Sequence, residues 1–178
     1  MLDQYLANEA KAKQLVDALS IAQLNWKSGA SWSVAECLAH LAASNRGVGE
    51  AMKEAVDRRV GGKPETGGGF PMPGFIAHMV ARSLEPPPKI KAKAAAGTRP
   101  EAASYGKEIL ATYLASHEKL LAVIKMGGAL HLNLIGFRHP MLPLRLPVDA
   151  GLAMMAAHDR RHLWQAEQVT KAPGFPKG

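Results

Sequence analysis

One cysteine, Cys37, stands among 178 residues, so the chain can form no intramolecular disulfide. The N-terminal stretch MLDQYLANEAKAKQLV is amphipathic and lacks the basic-then-apolar pattern of a signal peptide. Together these predict a cytoplasmic protein. No apolar run approaches the roughly 20 residues of a membrane span, which argues against a membrane partner. Acidic residues are also short: 15 Asp and Glu against 22 Lys and Arg leave a net charge of +7. That balance favours polyanions or an acidic small substrate. Nucleic acid is nevertheless not an expected partner, because the basic residues are scattered. Their one cluster, PPPKIKAKAAAGTR (86–99), has Lys89, Lys91, Lys93 and Arg99 but no aromatic side chain for bases to stack on. No internal repeat is visible. What remains is the composition of a soluble globular protein, 47% hydrophobic and 21% charged, as one domain over 1–178 with room for a real core.

Helical periodicity dominates. Leu2, Tyr5, Leu6, Ala12, Val16 and Leu19 form a stripe that predicts a first helix to about residue 24, with Glu9 as its one charged member, read as solvated. Ser33 followed by Glu36 is a capping box that opens a second helix running to about Arg59, with Trp32 placed to staple onto Cys37. GGKPETGGG (61–69) ends it, and a short helix is expected over 73–84 before the proline run. Pro100 starts a third helix with Tyr105, Ile109, Thr112, Ser116, Leu120 and Val123 on its inner face. The segment 127–146 is too proline-rich for a helix and predicts an extended wrap. A last helix runs from 147–149 to about Thr170, leaving the tail 171–178. The fold class expected is all-α, an up-and-down four-helix bundle with an extra short helix and long connections over 61–99 and 127–146.

The last helix carries HDRRHLWQ (158–165). At about 100° per residue, His158 and His162 lie some 40° apart, on the stripe shared by Gly151, Met155, Gln165, Ala166 and Val169. Two inward imidazoles one turn apart are spaced to grip one ion. Gly151 on the same face leaves room for a ligand beside it. HDRRH overlaps the metalloprotease pattern HExxH, but aspartate replaces the general-base glutamate and nothing downstream supplies a third ligand. Candidates for that third ligand are His40, His78, His117, His131 and His139, the last two equally readable as surface residues. Helical geometry allows His40, at the flank of the second helix's stripe, without choosing it over His117.

WSVAECLAHLAASNR (32–46), followed far downstream by AHDRRHLWQAEQV (157–169), resembles the DinB-like family of metal-binding four-helix bundles. The resemblance runs through the whole chain in the order and length of its elements. It implies a divalent metal held by His40, His158 and His162, with zinc or nickel foremost and iron or manganese as further options. It also implies a homodimer. Three neutral imidazoles would leave the ion its full charge and an open position, the arrangement of catalytic sites. The wider superfamily includes enzymes that use low-molecular-weight thiols, so thiol-dependent transfer to a small electrophile leads. Metal-dependent hydrolysis and a non-catalytic, stress-associated metal- or ligand-binding role are the alternatives.

Around these residues several others have two readings. Glu36 orients His40 or serves only as the cap. Cys37 is a fourth ligand or a small buried side chain. Asp159 lies about 100° from His158 and is read as pairing with a basic side chain or orienting something outside. Gln165 and, less directly, Ser44 are placed to hold a histidine's second nitrogen or a substrate. Trp164 points away from the stripe, as packing or a subunit contact.

Overall fold

The computed structural model describes residues 1–65, 67–88 and 93–177. Lys89 and Lys91 of the basic stretch, Thr66 of the glycine-rich stretch and the final Gly178 of the tail lie outside the described residues. The chain is mostly helical with a small three-stranded sheet. Among the described residues, no helix is long and apolar enough to cross a membrane.

The first helix is shorter than its stripe predicts. Helix α1 (Leu2–Asp17) stops, and α2 (Ile21–Asn25) starts afresh behind a capping box made by Ser20 and Gln23. The hydroxyl of Ser20 competes for backbone donors that a continuous helix would use, which is why the chain breaks there. Helix α3 (Val34–Val60) begins at the expected Ser33–Glu36 box and ends at Gly61. At 27 residues it is about 40 Å long and is the longest support in the fold.

The 61–99 connection is pinned at three places. Strand β1 (Phe70–Pro71) pairs in parallel with β3 (Leu144–Pro147), α4 (Gly74–Ser83) packs on the last helix, and a 3-10 turn at Ala96–Thr98 rests against α3. Strand β2 (Gly136–Arg138) lies antiparallel to β3, with Phe137 opposite Leu146, so the expected extended wrap is a hairpin at a sheet edge. These strands correct the all-α expectation. They are two to four residues long, too short for an alternating pattern to show in the sequence.

The third helix starts later than Pro100 suggests and is bent. Both backbone groups of Tyr105 are taken by the side chain of Asn25, which holds the preceding segment out of a helix. Helix α5 (Glu108–Ser116) then gives way to α6 (Glu118–Met126) at His117. There the Ser116 hydroxyl donates to the Tyr113 carbonyl at 2.6 Å, and the His117 N–H turns to the Leu114 carbonyl instead. Helix α7 (Val148–Thr170) matches its expected span.

Two apolar clusters fill the interior. One joins Tyr5, Val48, Met52, Leu120, Val123, Phe137 and Leu152; the other joins Val16, Leu24, Leu38, Leu41, Ile109, Tyr113 and Leu163. Their membership fixes the directions of the long stretches. Helices α1 and α7 run from the first cluster to the second, whereas α3 and the α5–α6 pair run from the second to the first. The up-and-down alternation expected of four successive helices is therefore replaced: α3 and α5–α6 run in the same sense, because the long 61–99 connection carries the chain back along the molecule. Between the clusters every long stretch carries buried polar residues: Asn8 on α1, His40, Ser44 and Asn45 on α3, Ser116 and His117 at the α5–α6 bend, Asp159 on α7. A polar layer thus crosses the protein midway, and the candidate site lies in it.

Candidate metal centre

His40, His158 and His162 meet in this layer, each offering one ring nitrogen, all three within 4.8 Å of one another. Their ring centroids are 4.6 to 5.1 Å apart. The Nε2 atoms of His40 and His158 stand 3.3 Å apart. Ligand nitrogens about 2.0–2.1 Å from a tetrahedral zinc would be separated by about 3.3–3.4 Å, so the spacing suits a shared cation.

Hydrogen bonds behind the rings set their tautomers. The Nδ1–H of His40 donates to the Thr98 carbonyl at 2.8 Å, and that of His162 donates to Gln165 Oε1 at 3.0 Å. Each ring is left with a bare Nε2 turned toward the cluster, the usual way a ligating histidine is oriented from behind. Among the described residues His158 has no such partner: its Nδ1 is buried and unmatched, and its polar contact lies at the centre of the cluster. Burial pushes all three imidazoles below the ordinary histidine range, most strongly His158. The mutual field of the rings and the Arg161 charge add to this for His158 and His162, bringing His162 down to about 3. The three are therefore neutral at pH 7 with lone pairs to give, and they fit a divalent cation in number, protonation and spacing.

The residues expected around the ligands fall out differently. Gln165 holds His162, but Glu36 does not orient His40; it caps α3 through Ser33 and pairs with Lys27 at 2.6 Å. The orienting acceptor is the Thr98 backbone carbonyl, brought in by the 3-10 turn, and a backbone group has no sequence signature. Ser44 is buried in the polar layer but makes none of the bonds that hold the imidazoles. Cys37 is fully buried in the second apolar cluster, and burial raises its thiol far above its ordinary range. Gly151 offers no room for a ligand: a Cβ there would meet Phe137 at 2.5 Å and Met52 at 2.6 Å, so the glycine serves close packing. Trp32 shares a cluster with Cys37 and also reaches the site, its ring centroid 4.9 Å from His40 and 5.8 Å from His162, stacked on the latter at 30°.

The other histidines are placed elsewhere. His78 faces Asp149 at 3.2 Å, and His139 is buried, its Nδ1 accepting from the N–H groups of Met141 and Leu142. Burial lowers His139 to about 4. His131 is exposed. His117, the competing third-ligand candidate, is fully buried with both nitrogens occupied. Its Nδ1 lies 2.7 Å from Glu9 Oε1 and its Nε2 lies 2.7 Å from Asp159 Oδ2. Asp159 also accepts from Tyr113 and Asn45, at 2.9 and 3.0 Å. Burial works against protonating His117, but the bonds to Asp159 and Glu9 outweigh it and raise its pKa. Glu9 is thus not a solvated helix-end charge, and Asp159 faces inward. The missed signal was polarity within the apolar stripes, at Asn8, Glu9, Asn45 and Ser116. A cleft of about 550 Å³ lined by Ala51, Glu54, Arg58, Glu65, Gly67 and Arg138 lies toward the other end of α3 from His40.

A family model described as the DinB superfamily matches residues 4–166. No curated protein and no solved structure matches the chain.

Proposed function

The chain belongs to the DinB superfamily, and from that membership and the site's geometry we propose that it is a metal-dependent enzyme acting on a small molecule. In this reading the long helical stretches form a four-helix bundle that holds one divalent cation on His40, His158 and His162. The observation that carries it is the convergence of three imidazole nitrogens within 4.8 Å, two of them with tautomers already fixed from behind. Zinc or nickel is the proposed ion, with iron and manganese as options, since imidazole serves several of them. A cation bound there would lower the pKa of a thiol or water at its open position, giving a nucleophile near neutral pH.

Thiol-dependent transfer to a small electrophile is the reaction proposed, with hydrolysis second. The chain's own part is positional. Thr98 and Gln165 hold two rings in the ligating tautomer, and the apolar clusters on either side keep bulk water from the back of the site. A low-molecular-weight thiol, a homodimer and a cytoplasmic address complete the proposal. Its competitor from another class is a metal- or ligand-binding module without catalysis. The first test is elemental analysis of protein purified without an affinity tag or added metal, beside a His158→Ala/His162→Ala variant. Near-stoichiometric metal in the parent and none in the variant is expected. A parent that is empty and fails to take up added zinc or nickel overturns the reading.

A further inference from the structure

The metal reading makes no use of the cleft near the C-terminal end of α3, about 27 Å along that helix from His40. Its volume of about 550 Å³ is that of a site for a small molecule. Ala51, Glu54 and Arg58 recur at helical spacing along one wall. Glu65 and Gly67 of the 61–99 connection and Arg138 at the end of β2 supply the rest.

Arg58 is half-buried, and among the described residues its Nε is buried with no hydrogen-bond partner. The helix dipole accounts for a cation in the last turn, as for the exposed Arg59, but not for a donor turned away from water with nothing to receive it. Arg138 lies directly opposite Arg145 in the β2–β3 register, a pairing of like charges that is unfavourable by itself. Glu65 neutralises only one of the two. It pairs with Arg145 at 3.3 Å and accepts from the Gly136 N–H at 3.2 Å, and a Cβ on Gly136 would lie 3.0 Å from it. Among the described residues neither Arg58 nor Arg138 joins an ion pair, although Glu54 stands one turn from Arg58.

The nearby carboxylates are mostly taken. Asp57 holds Lys53, and Glu50 pairs with Lys119. Glu54, exposed on the cleft wall, has no such partner among the described residues. The cleft therefore presents two unengaged guanidiniums and one unengaged carboxylate. Two guanidiniums match a dianion in charge, and their planar forks meet phosphate oxygens two at a time. The Glu54 carboxylate would repel a bare dianion and favours one whose body carries an ammonium group.

We propose that this cleft binds a small zwitterionic phosphate monoester, its phosphate held by Arg58 and Arg138 and its ammonium by Glu54. The site is separate from the three histidines and does not depend on the metal reading.

The test is calorimetric titration of the full chain with phosphoethanolamine, ethyl phosphate and ethanolamine. Phosphoethanolamine is expected to bind at one saturable site, ethyl phosphate about three- to tenfold more weakly, and ethanolamine not at all. Arg58→Gln and Arg138→Gln should each weaken phosphoethanolamine about tenfold or more, and Arg58→Lys should restore part of the loss. Glu54→Gln should bring phosphoethanolamine and ethyl phosphate to the same affinity, a change in selectivity that a purely structural role would not produce. The His158→Ala/His162→Ala variant should bind as the parent does. Binding lost in that variant would place the phosphate at the histidines and overturn the proposal. Phosphoethanolamine that binds no tighter than ethanolamine or ethyl phosphate also overturns it, as does an Arg58→Gln variant with parental affinity. The three-ligand comparison in the parent decides the matter even if a variant fails to fold, and none of these outcomes bears on whether the histidines hold a metal.

Discussion

Replacing Asp159 with alanine should be among the most damaging single changes to stability. The carboxylate accepts from His117, Tyr113 and Asn45 and is fully buried, so its removal strands three donors away from water. Each buried donor left unmatched costs about 1–3 kcal/mol, and breaking a buried ion pair by deleting one partner costs about 3–5 kcal/mol. The expected loss for Asp159→Ala is therefore about 3–5 kcal/mol. Tyr113→Phe removes one hydrogen bond and leaves the charges, so it should cost about 1 kcal/mol. Urea denaturation of metal-free protein measures both, with an unchanged m-value as the condition for comparing them.

A pH series adds a signature that simple packing lacks. His117 has its folded pKa raised above the unfolded value of about 6.5, so between the two the folded state holds the extra proton. Its contribution is full below about 6.5 and is lost as the pH rises through the folded value. The ligand histidines act with the opposite sign: their lowered pKa values erode stability as the pH falls below about 6.5. His117→Gln should therefore abolish the decline on the alkaline side alone. An Asp159→Ala loss under about 1 kcal/mol, or an alkaline slope that survives in His117→Gln, would refute a charged buried network.

Gln165→Leu should leave the fold intact but weaken metal affinity by about 10- to 100-fold, because the His162 tautomer is no longer fixed from behind. Competition with a chelating dye measures it, and parental affinity would show that the bond is incidental. Gly151→Ala should destabilise by about 1–3 kcal/mol, since its Cβ falls on the Phe137 ring, and a melting temperature equal to the parent's would contradict that packing.

The inward pair on the last helix was legible because azimuth around a helix follows from spacing alone. His158 and His162 needed only the 100° rule, and Ser33 with Glu36 needed only the chemistry of orphan N–H groups. The third imidazole was not legible from spacing, because periodicity says nothing of how far one helix slides along another. His40 and His117 were equal until the family resemblance separated them. The structure puts them in different parts of the same polar layer. Thr98 was invisible for a different reason: it acts through its carbonyl, which every residue has. The bend at His117 was hidden in a single serine whose hydroxyl takes a backbone acceptor, a local effect that a broad apolar stripe masks. The alternating directions failed because they assumed connections that merely turn, whereas 61–99 traverses the molecule.

The polar layer also acts as an axial index. Apolar stripes are nearly self-similar from turn to turn, so a helix that slips by about 5.4 Å can still bury leucines against leucines. Here a slip of α7 would move Asp159 off Asn45, Tyr113 and His117 and set it against alkyl side chains. A slip of α1 would part Glu9 from His117 and Asn8 from the Ala156 carbonyl. Every misaligned arrangement thus meets a penalty at a single level of the molecule, and the same rung that aligns the helices aligns the three imidazoles. A one-turn insertion on either side of that rung, within any of the long stretches, would split the chain into two cores that no longer agree on where the middle is.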